Sequence, residues 1–392
     1  MSGRGQYYRQ DTVLGPNLPA DTPHNERVAG TSSKRPNPSR SKFGANDLTN
    51  DIAIALSRRL VGQPSAIESI VPYVQLHRAM LAPEGRPVGV FLLLGPTGTG
   101  KTKTVEALAE VLHGSPKKVL KVDCGEFQME HEVAKLLGAP PGYLGHRETQ
   151  PLLTQQKVNG ASSESCDLSL VLFDEIEKAA PSVSRLLLGV LDKATMRLGD
   201  NTAVNFEKAM IFLTSNLGAH EMNRELNPDF GFESLLPKRG GDEKLSKLQN
   251  IGALALRRKF SPEFINRIDA VITYQPLDSD ALSAILDQHI QDLREHLDQR
   301  LGMSTFHLDV PARTRRFLLE KGTSTQYGAR ELKRTIQRLL IQPLASAIAA
   351  GEIAPGSRIR AELSPRKDRL VMREASAPPD SLSPQDSLAP AC

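Results

Sequence analysis

The segment GPTGTGKT, Gly95 to Thr102, contains the residue types that hold a phosphate chain. It matches the pattern GxxxxGK[ST] and stands between an apolar run and a stretch with helical spacing, which is the context that this pattern requires. Backbone N–H groups at such a helix N-terminus converge on phosphates, while Lys101 reaches the β and γ phosphates and Thr102 offers its hydroxyl to Mg²⁺. A glycine-rich turn without a ligand is the alternative. The other predicted nucleotide contacts in this loop are Gly95, Pro96, Thr97, Gly98, Thr99 and Gly100.

Three further polar residues follow apolar runs. The run VLF ends in Asp174 and Glu175, and the run MIFLTS ends in Asn216. Beside a phosphate loop, Asp174 can hold Mg²⁺ through its water shell, and Glu175 can polarise the attacking water. Asn216 falls at the same edge and could orient that water. Taken alone, each of these residues would more often cap a helix.

The elements that must position these residues alternate between strand and helix. Continuous apolar runs of this kind are typical of a parallel sheet covered on both faces, and its ligands bind beyond the carboxyl ends of the strands. The predicted strands are VGVFLLLG, KKVLKVDC, DLSLVLFDE and KAMIFLTSN, with helices between them. The polar stretch VNGASSESCD (158–167) is predicted to be a surface loop. The fold class is therefore α/β.

A smaller α+β domain is predicted after the sheet. Two amphipathic helices and a third with a proline interruption are followed by two short strand signals. These segments are SDALSAILDQHIQDLREHLDQRL, ARTRRFLLEKG, ARELKRTIQRLLIQPLASAIAAG, SRIRAEL and DRLVMRE.

Composition narrows the class of protein. The chain has 392 residues, of which 39% are hydrophobic and 24% charged, enough for two globular domains. Its formal net charge of +4 is unevenly distributed: residues 1–45 carry seven Lys or Arg against three acids, residues 374–392 carry three acids and no bases, and the rest of the chain is about +3. The near-balanced core argues against a nucleic-acid partner. No apolar run approaches the roughly 20 residues that span a bilayer, which argues against a membrane partner. With no signal peptide pattern and three cysteines without a CxxC pair, we expect a cytoplasmic protein.

The order of the motifs resembles that of AAA+ ATPases of the Clp family of protein unfoldases, above all the second nucleotide-binding module of the ClpB and ClpC type. The resemblance extends over about 300 residues. It implies a large ATPase domain over 46–275 and a small domain over 276–373. Composition separately predicts disordered tails at 1–45 and 374–392, which are rich in residues such as Pro and Ser. The resemblance also implies ATP and Mg²⁺ as cofactors and a stand-alone single ring of six copies. The segments that carry it are LVGQPSAI, GPTGTGKT, GAPPGYLG, FDEIEKA, LTSNLGA, FSPEFINRID, YGARELKR and PLASAIAAGEIAPGSRIR.

The resemblance also implies roles for residues outside the phosphate loop. Arg267 would be the arginine finger that reaches into the neighbouring subunit's site, where such a group neutralises transition-state charge. From the residues alone, Arg267 would form a surface salt bridge with Asp269. Arg330 would be the second sensor, touching the γ phosphate, and a positive charge at a helix N-terminus does favour a nearby anion. Val61 and Gly62 would lie against the adenine.

Tyr143 stands in the segment GYLG, which resembles the pore loop of the family. The resemblance implies that its ring projects into the channel of a hexamer and grips unfolded polypeptide, because a flat, stiff ring can contact any sequence. A core tyrosine is the alternative, against which the flanking glycines argue. The family's paired glycines after this loop are replaced by HRETQP, and residues 191–204 lack the glycine-rich pattern of a second pore loop.

Three functions remain open at this point. The first is an ATP-driven unfoldase that threads unfolded or misfolded proteins through a hexameric pore. The second adds a ClpP-type peptidase, docked through Phe230, Gly231 and Phe232, where relatives carry an aliphatic residue first. The third is a nucleic-acid motor or clamp loader, which the near-neutral core and the Tyr143 loop disfavour. A non-enzymatic interaction module fits less well than any of these, because every ATPase element is present.

Overall fold

The computed structural model describes residues 45–138, 151–226, 241–302, 305–323, 328–366 and 368–374. Its strands fall into a central parallel sheet, a C-terminal sheet and a two-stranded hairpin. In chain order the strands are β1 (Gly89–Leu94), β2 (Leu120–Asp123), β3 (Ser169–Asp174), β4 (Thr195–Arg197), β5 (Ala203–Asn205), β6 (Ala209–Ser215), β7 (Ala270–Thr273), β8 (His307–Asp309), β9 (Arg358–Leu363) and β10 (Leu370–Glu374).

The central sheet has the strand order β2-β3-β6-β1-β7, and all of its pairs are parallel. Strands β1 and β6 are buried along their whole length because neighbours pair on both sides and helices cover both faces. The four predicted strands and the α/β class are confirmed. The fifth strand, β7, was not predicted, since only four residues form it at the edge of the sheet.

Helices surround this sheet and build the C-terminal part. The longest, of 23 residues, follows the sheet directly. In chain order the helices are α1 (Ala45–Ser57), α2 (Pro64–Arg78), α3 (Lys101–His113), α4 (Val133–Leu137), α5 (Gln155–Gly160), α6 (Pro181–Lys193), α7 (Ala219–Leu226), α8 (Gly241–Lys259), α9 (Pro262–Ile265), α10 (Ser279–Leu301), α11 (Ala312–Gly322), α12 (Gly328–Ile336) and α13 (Gln342–Ala349).

Alternate side chains of β1 serve two separate cores. Leu92 and Leu94 pack with the core that includes α6, while Phe91 and Leu93 pack with the core that includes α2 and α3. Because successive strand residues point to opposite faces, an unbroken apolar run is needed to fill both. Phe91 also stacks on Phe212 at a ring separation of 5.3 Å.

The C-terminal part has its own core under a mixed sheet, β10-β9-β8, in which β8 is parallel and β10 antiparallel to β9. Three helices and two strands of this part are confirmed in place, but β8 was missed because it is only three residues long. The predicted interruption at Pro343 is a π-helical turn, Gln337–Ile341, that leads directly into α13. Pro343 lies in the first turn of α13, where the missing N–H has no helical partner to lose.

Two segments differ from their predicted structure. The predicted loop 158–167 begins inside α5, and Val158, Ala161 and Cys166 are buried, so it packs on the sheet rather than standing away from it. Its tip is closed by a bridge between Ser163 and Cys166. Residues 191–204 contain the end of α6 and most of the β4–β5 hairpin, which no sequence signal indicated.

Among the described residues, no helix combines the length and the apolar composition that crossing a membrane requires.

A buried hydrogen bond between Tyr274, the residue after β7, and Thr104 of α3 gives a test of the fold. The Tyr274 hydroxyl lies 2.6 Å from Thr104 Oγ1, which itself donates to the Gly100 carbonyl, so the tyrosine is the donor. We expect Thr104→Val to lower the free energy of unfolding by about 2 kcal/mol, because it leaves a buried O–H unpaired, and Tyr274→Phe to lower it by about 1 kcal/mol. Urea unfolding followed by circular dichroism measures both. The free energy of unfolding should fall less in the double variant than the sum of the two single decreases. A larger decrease for Tyr274→Phe than for Thr104→Val would contradict the assignment of Tyr274 as the donor.

Candidate nucleotide-binding site

The phosphate loop connects β1 to α3 at the carboxyl edge of the central sheet. Its first residue, Gly95, has φ 149°, and a Cβ there would lie 2.7 Å from the carbonyl oxygen of Tyr274. Only glycine fits this position, because the main chain of Tyr274, just after β7, passes directly behind the loop. Close packing of this kind holds the loop in a fixed shape at the N-terminus of α3, as phosphate binding requires.

Lys101 is buried at the start of α3. Its ammonium group donates to the carbonyl oxygens of Gly95 and Pro96, at 2.6 and 2.8 Å, and to Oδ1 of Asn216 at 2.9 Å. Burial lowers its pKa to about 8, against the opposing effect of nearby carboxylates, of which Glu177 acts most strongly. A phosphate chain would supply the negative charge that this partly desolvated cation favours.

Asp174 ends β3 and offers oxygen atoms suited to a magnesium ion. Its Oδ1 accepts hydrogen bonds from the hydroxyls of Thr214 and Thr102, the latter at 3.4 Å, and its Oδ2 pairs with Lys121 at 2.9 Å. Burial acts to raise the pKa of Asp174, but the bonds from Thr214 and Lys121 outweigh it and leave the pKa below its usual value. A carboxylate beside a threonine hydroxyl fits Mg²⁺, which takes few protein ligands and completes its shell with phosphate and water oxygens.

Glu175 has an uncommon backbone conformation, with φ 56°. Its N–H donates to Thr214 Oγ1 at 2.9 Å. One carboxylate oxygen accepts from the Asn216 side-chain amide at 3.3 Å, and the other forms an ion pair with Lys178, whose pKa is raised by this contact. The carboxylate is therefore held at the cavity edge by two partners.

Asn216 joins the phosphate loop to the acidic strand end. Its Oδ1 accepts from Lys101 and, at 3.4 Å, from the Thr97 hydroxyl, while its Nδ2 donates to Glu175. Its backbone N–H donates to Glu177 Oε1 at 3.0 Å. Thus one asparagine contacts both groups that the sequence predicted would bind phosphate and activate water.

A cavity of about 840 Å³ opens in front of these residues, within the usual size range of ligand sites. The predicted residues that line it are Val61, Thr97, Gly98, Thr99, Gly100, Lys101, Thr102, Asp174, Glu175, Asn216 and Arg330. Gly62, Gly95 and Pro96 are not among the lining residues. Gly62 instead packs against Leu277, and the other two present their carbonyls to Lys101.

The C-terminal part closes one side of the cavity. The N–H of Ala329, in the first turn of α12, donates to the carbonyl of Gly98 at 3.2 Å. A Cβ at Gly328 would come within 3.0 Å of the same oxygen, and φ at this glycine is 49°. On the other side, Gln288 of α10 donates to the carbonyl of Arg58 at 2.6 Å. The two parts of the chain are therefore hydrogen-bonded to each other at the cavity, once through main chain alone and once through the Gln288 side chain.

Gln63 fixes the back of the site. It is buried, and its amide donates to the carbonyls of Thr99 and Gln275, at 3.2 and 2.8 Å, while its oxygen accepts from the N–H of Gln275. It thereby ties the phosphate loop to the segment that leads from β7 into α10.

Arg267 follows α9 and is not among the residues that line the cavity of its own chain. It pairs with Asp192 at 3.4 Å and with Glu263 at 3.3 Å. The alternative salt bridge to Asp269 is wrong, because Asp269 pairs with Arg86 at 2.6 Å and accepts the N–H of Val90. Two further predicted contacts, Tyr143 and the Phe230–Phe232 segment, lie outside the described residues.

Sequence reasoning missed four residues that shape the site. Thr214 stands two residues before Asn216, and the period of a strand would have placed both on one side. Glu177 and Lys178 follow the Asp-Glu pair after one residue, Ile176, yet nothing in their spacing indicated that the chain turns back there. Lys121 gave no signal, since lysine at a sheet edge is ordinary.

Two protein families match this chain in succession. Residues 86–271 match a family described as AAA domain (Cdc48 subfamily), and residues 277–361 match the C-terminal, D2-small domain of ClpB protein. The two matches meet between β7 and α10, at the side of the cavity that both parts of the chain line.

Individual relatives agree with the family matches. The chain is 36% identical over 307 residues to the chaperone protein ClpB of Meiothermus ruber, and 37% identical over 308 residues to that of Rhizobium meliloti. Each alignment covers 78% of this chain, but the chain spans only about a third of the length of these relatives.

Solved structures give the same result. The structure of S. cerevisiae Hsp104 in a complex with casein, in an extended conformation, matches with a TM-score of 0.70 and 28% identity, covering 86% of this chain and 53% of that one. The chain therefore carries an AAA domain followed by the D2-small domain that is found in ClpB.

Proposed function

We propose that this chain binds ATP with Mg²⁺ in the 840 Å³ cavity, hydrolyses it, and uses the energy to unfold polypeptides as a ring of six copies. The observation that carries the proposal is the contact of one side chain, Asn216, with both Lys101 and Glu175, beside the carboxylate of Asp174. Phosphate binding, metal binding and water activation then fall within one group of hydrogen-bonded residues. The domains would be those expected from the sequence, 46–275 and 276–373.

The binding step exchanges one set of partners for another. Lys101 would leave the loop carbonyls of Gly95 and Pro96 for the phosphates, gaining a charged partner for neutral ones. Thr102 and Asp174 would hold Mg²⁺, which neutralises phosphate charge when bound. Val61, which lines the cavity, would lie nearest the base, and Gly62 would adjoin it without lining the cavity itself.

Hydrolysis would then rest on Glu175 and Asn216. Glu175 accepts a proton from the attacking water, and Asn216 orients that water from the end of β6. Glu175 must exchange its present ion pair with Lys178 for the water, so the two states of this carboxylate compete.

Two arginines would complete the site, one from the small domain of the same chain and one from the neighbouring copy. Arg330 lines the cavity from α12 and would contact the γ phosphate. Arg267 would serve the neighbouring copy: its side chain is 26% exposed and its described ion pairs, with Asp192 and Glu263, lie outside its own cavity. This arrangement requires assembly for activity.

Unfolding of other proteins is proposed from the kinship with ClpB and Hsp104, the latter in its structure with casein. Tyr143 would grip polypeptide in the channel of the ring. The protein would act in the cytoplasm. A ClpP-type peptidase that docks at Phe230–Phe232 would be a further partner, and co-purification with the peptidase would detect it.

Separate losses of binding and turnover are expected at two residues. Lys101→Ala should weaken ATP binding by about 100-fold or more, because the chain then lacks the buried cation that meets the phosphates. Glu175→Gln should keep the binding affinity within a few-fold and lower kcat by about 100-fold or more, since it removes only water activation. Titration with a fluorescent ATP analogue and a phosphate-release assay measure the two effects, with exposed Glu164→Gln as a control. Near-normal hydrolysis by Glu175→Gln would refute its role.

Subunits with complementary defects should rescue each other. Arg267→Ala and Glu175→Gln are each expected to be inactive, but mixed rings contain interfaces at which an intact Glu175 meets an intact Arg267. ATP turnover is measured across several mixing ratios. The double variant mixed with either parent is the control, because no such interface can form there. If no ratio exceeds the parents, the site is not shared between copies.

Tyr143→Ala should separate pulling from chemistry. We expect ATP turnover to stay within a few-fold while unfolding of a stable fluorescent protein is lost, because the ring contacts only what enters the channel. Tyr143→Phe should retain most unfolding, since the contact is steric. Turnover and fluorescence are followed on the same preparations. Loss of thermal stability or of ring assembly in Tyr143→Ala would identify the tyrosine as a packing residue instead.

A further inference from the structure

The backbone hydrogen bonds of the central sheet stop unevenly at the edge that carries the site. Pairing between β3 and β6 ends at Phe173 and Leu213, whereas pairing between β1 and β6 continues to Leu94 and Ser215. Asn216 is the first residue beyond both ladders. Its main-chain N–H finds its acceptor 39 residues back along the chain, in Oε1 of Glu177 at 3.0 Å.

A short turn carries Glu177 to this position. The left-handed conformation of Glu175 reverses the chain at the end of β3, and the 3₁₀ turn Ile176–Lys178 follows. Ile176 is buried in the core, and the N–H of Ala180 donates to the carbonyl of Phe127 at 2.8 Å, so the turn is held at both ends. Glu177 is thereby held against the end of β6.

Glu177 has no direct part in the cavity. It is not among the residues that line it, and its second oxygen, Oε2, is buried and accepts no hydrogen bond from the described residues. Among the described residues, the hydrogen bond that this carboxylate makes is to the main-chain N–H of Asn216. The position of the Asn216 side chain, between Lys101 and Glu175, depends on that main chain.

We propose that Glu177 is a positioning residue that holds Asn216 between Lys101 and Glu175. The proposal rests on the proposed hydrolysis of ATP and deepens the account of that site. Glu177 replaces the strand bond that the sheet no longer supplies at Asn216. Loss of this bond lets the end of β6 move, and small displacements of a catalytic group cost up to about 100-fold in rate.

Three substitutions separate the hydrogen bond of Glu177 from its charge. Glu177→Gln keeps an oxygen at the same reach without the charge, Glu177→Asp keeps the charge but is one methylene short, and Glu177→Leu has neither. With the full chain, we expect Gln to retain kcat within about threefold, and Asp and Leu to lower it by about 10- to 100-fold with KM changed less than about threefold. Loss in the Gln variant with retention in the Asp variant would overturn the proposal, because charge would then be the property that matters.

A double-variant cycle tests whether Glu177 acts through Asn216. On an Asn216→Ala background, Glu177→Leu and Glu177→Asp should lower kcat by less than about twofold further, since the group that they displace is already gone. A further loss as large as in the unaltered chain would overturn the proposal.

Hydrogen exchange tests the contact without any hydrolysis. In the nucleotide-free full chain, the Asn216 amide should exchange about tenfold faster or more in the Asp and Leu variants and at the unaltered rate in the Gln variant. Exchange that is equal in all four proteins would refute the contact. An unaltered chain without ATPase activity would refute the proposed function but leave this exchange pattern in place. Should Glu177→Leu fail to fold, the Asp and Gln variants carry the comparison.

Discussion

The parallel pairing of β6 between β1 and β3 is the constraint on which the site depends. Each of the three strands leaves the sheet at the same edge with a different group: the phosphate loop after β1, the two acids at the end of β3, and Asn216 after β6. Because β6 is central and fully buried, the strand itself cannot shift without disturbing two ladders, whereas Asn216, the first residue beyond them, is bonded through its main-chain N–H to Glu177. The contacts of Asn216 with Lys101 and Glu175 follow from this placement.

The acidic groups at this edge of the sheet are paired with lysines of the same chain. Asp174 pairs with Lys121, Glu175 pairs with Lys178, and Lys101 lies among loop carbonyls next to Asn216. Charges held this close in a partly buried place would otherwise repel one another and resist folding. The chain therefore supplies its own counter-charges at this edge of the sheet.

Long, regular segments could be predicted from the sequence, and short or non-local features could not. The bounds of α10 and α11 follow from apolar periodicity that runs over several turns, and the four predicted strands follow from unbroken apolar runs. Strand β8 and the β4–β5 hairpin have three residues per strand, too few for any period to show. The partner of Arg267 could not be predicted either, since Asp192 lies 75 residues away in sequence. The motifs indicated that the phosphate loop, the two acids and Asn216 lie together. They did not indicate that the chain turns after Glu175 and brings Glu177 and Lys178 back to the site.

The bond between the N–H of Ala329 and the carbonyl of Gly98 joins the C-terminal part to the phosphate loop through main chain alone. Such a contact is indifferent to side-chain identity, so substitutions can accumulate on either part while the junction persists. A relative that is only 36% identical to this chain can therefore keep the same main-chain contact. The contact does restrict one residue, Gly328. A side chain there would bring its Cβ close to the Gly98 oxygen. Covariation between the two parts should therefore be weak at this contact, even though it lies beside the nucleotide cavity.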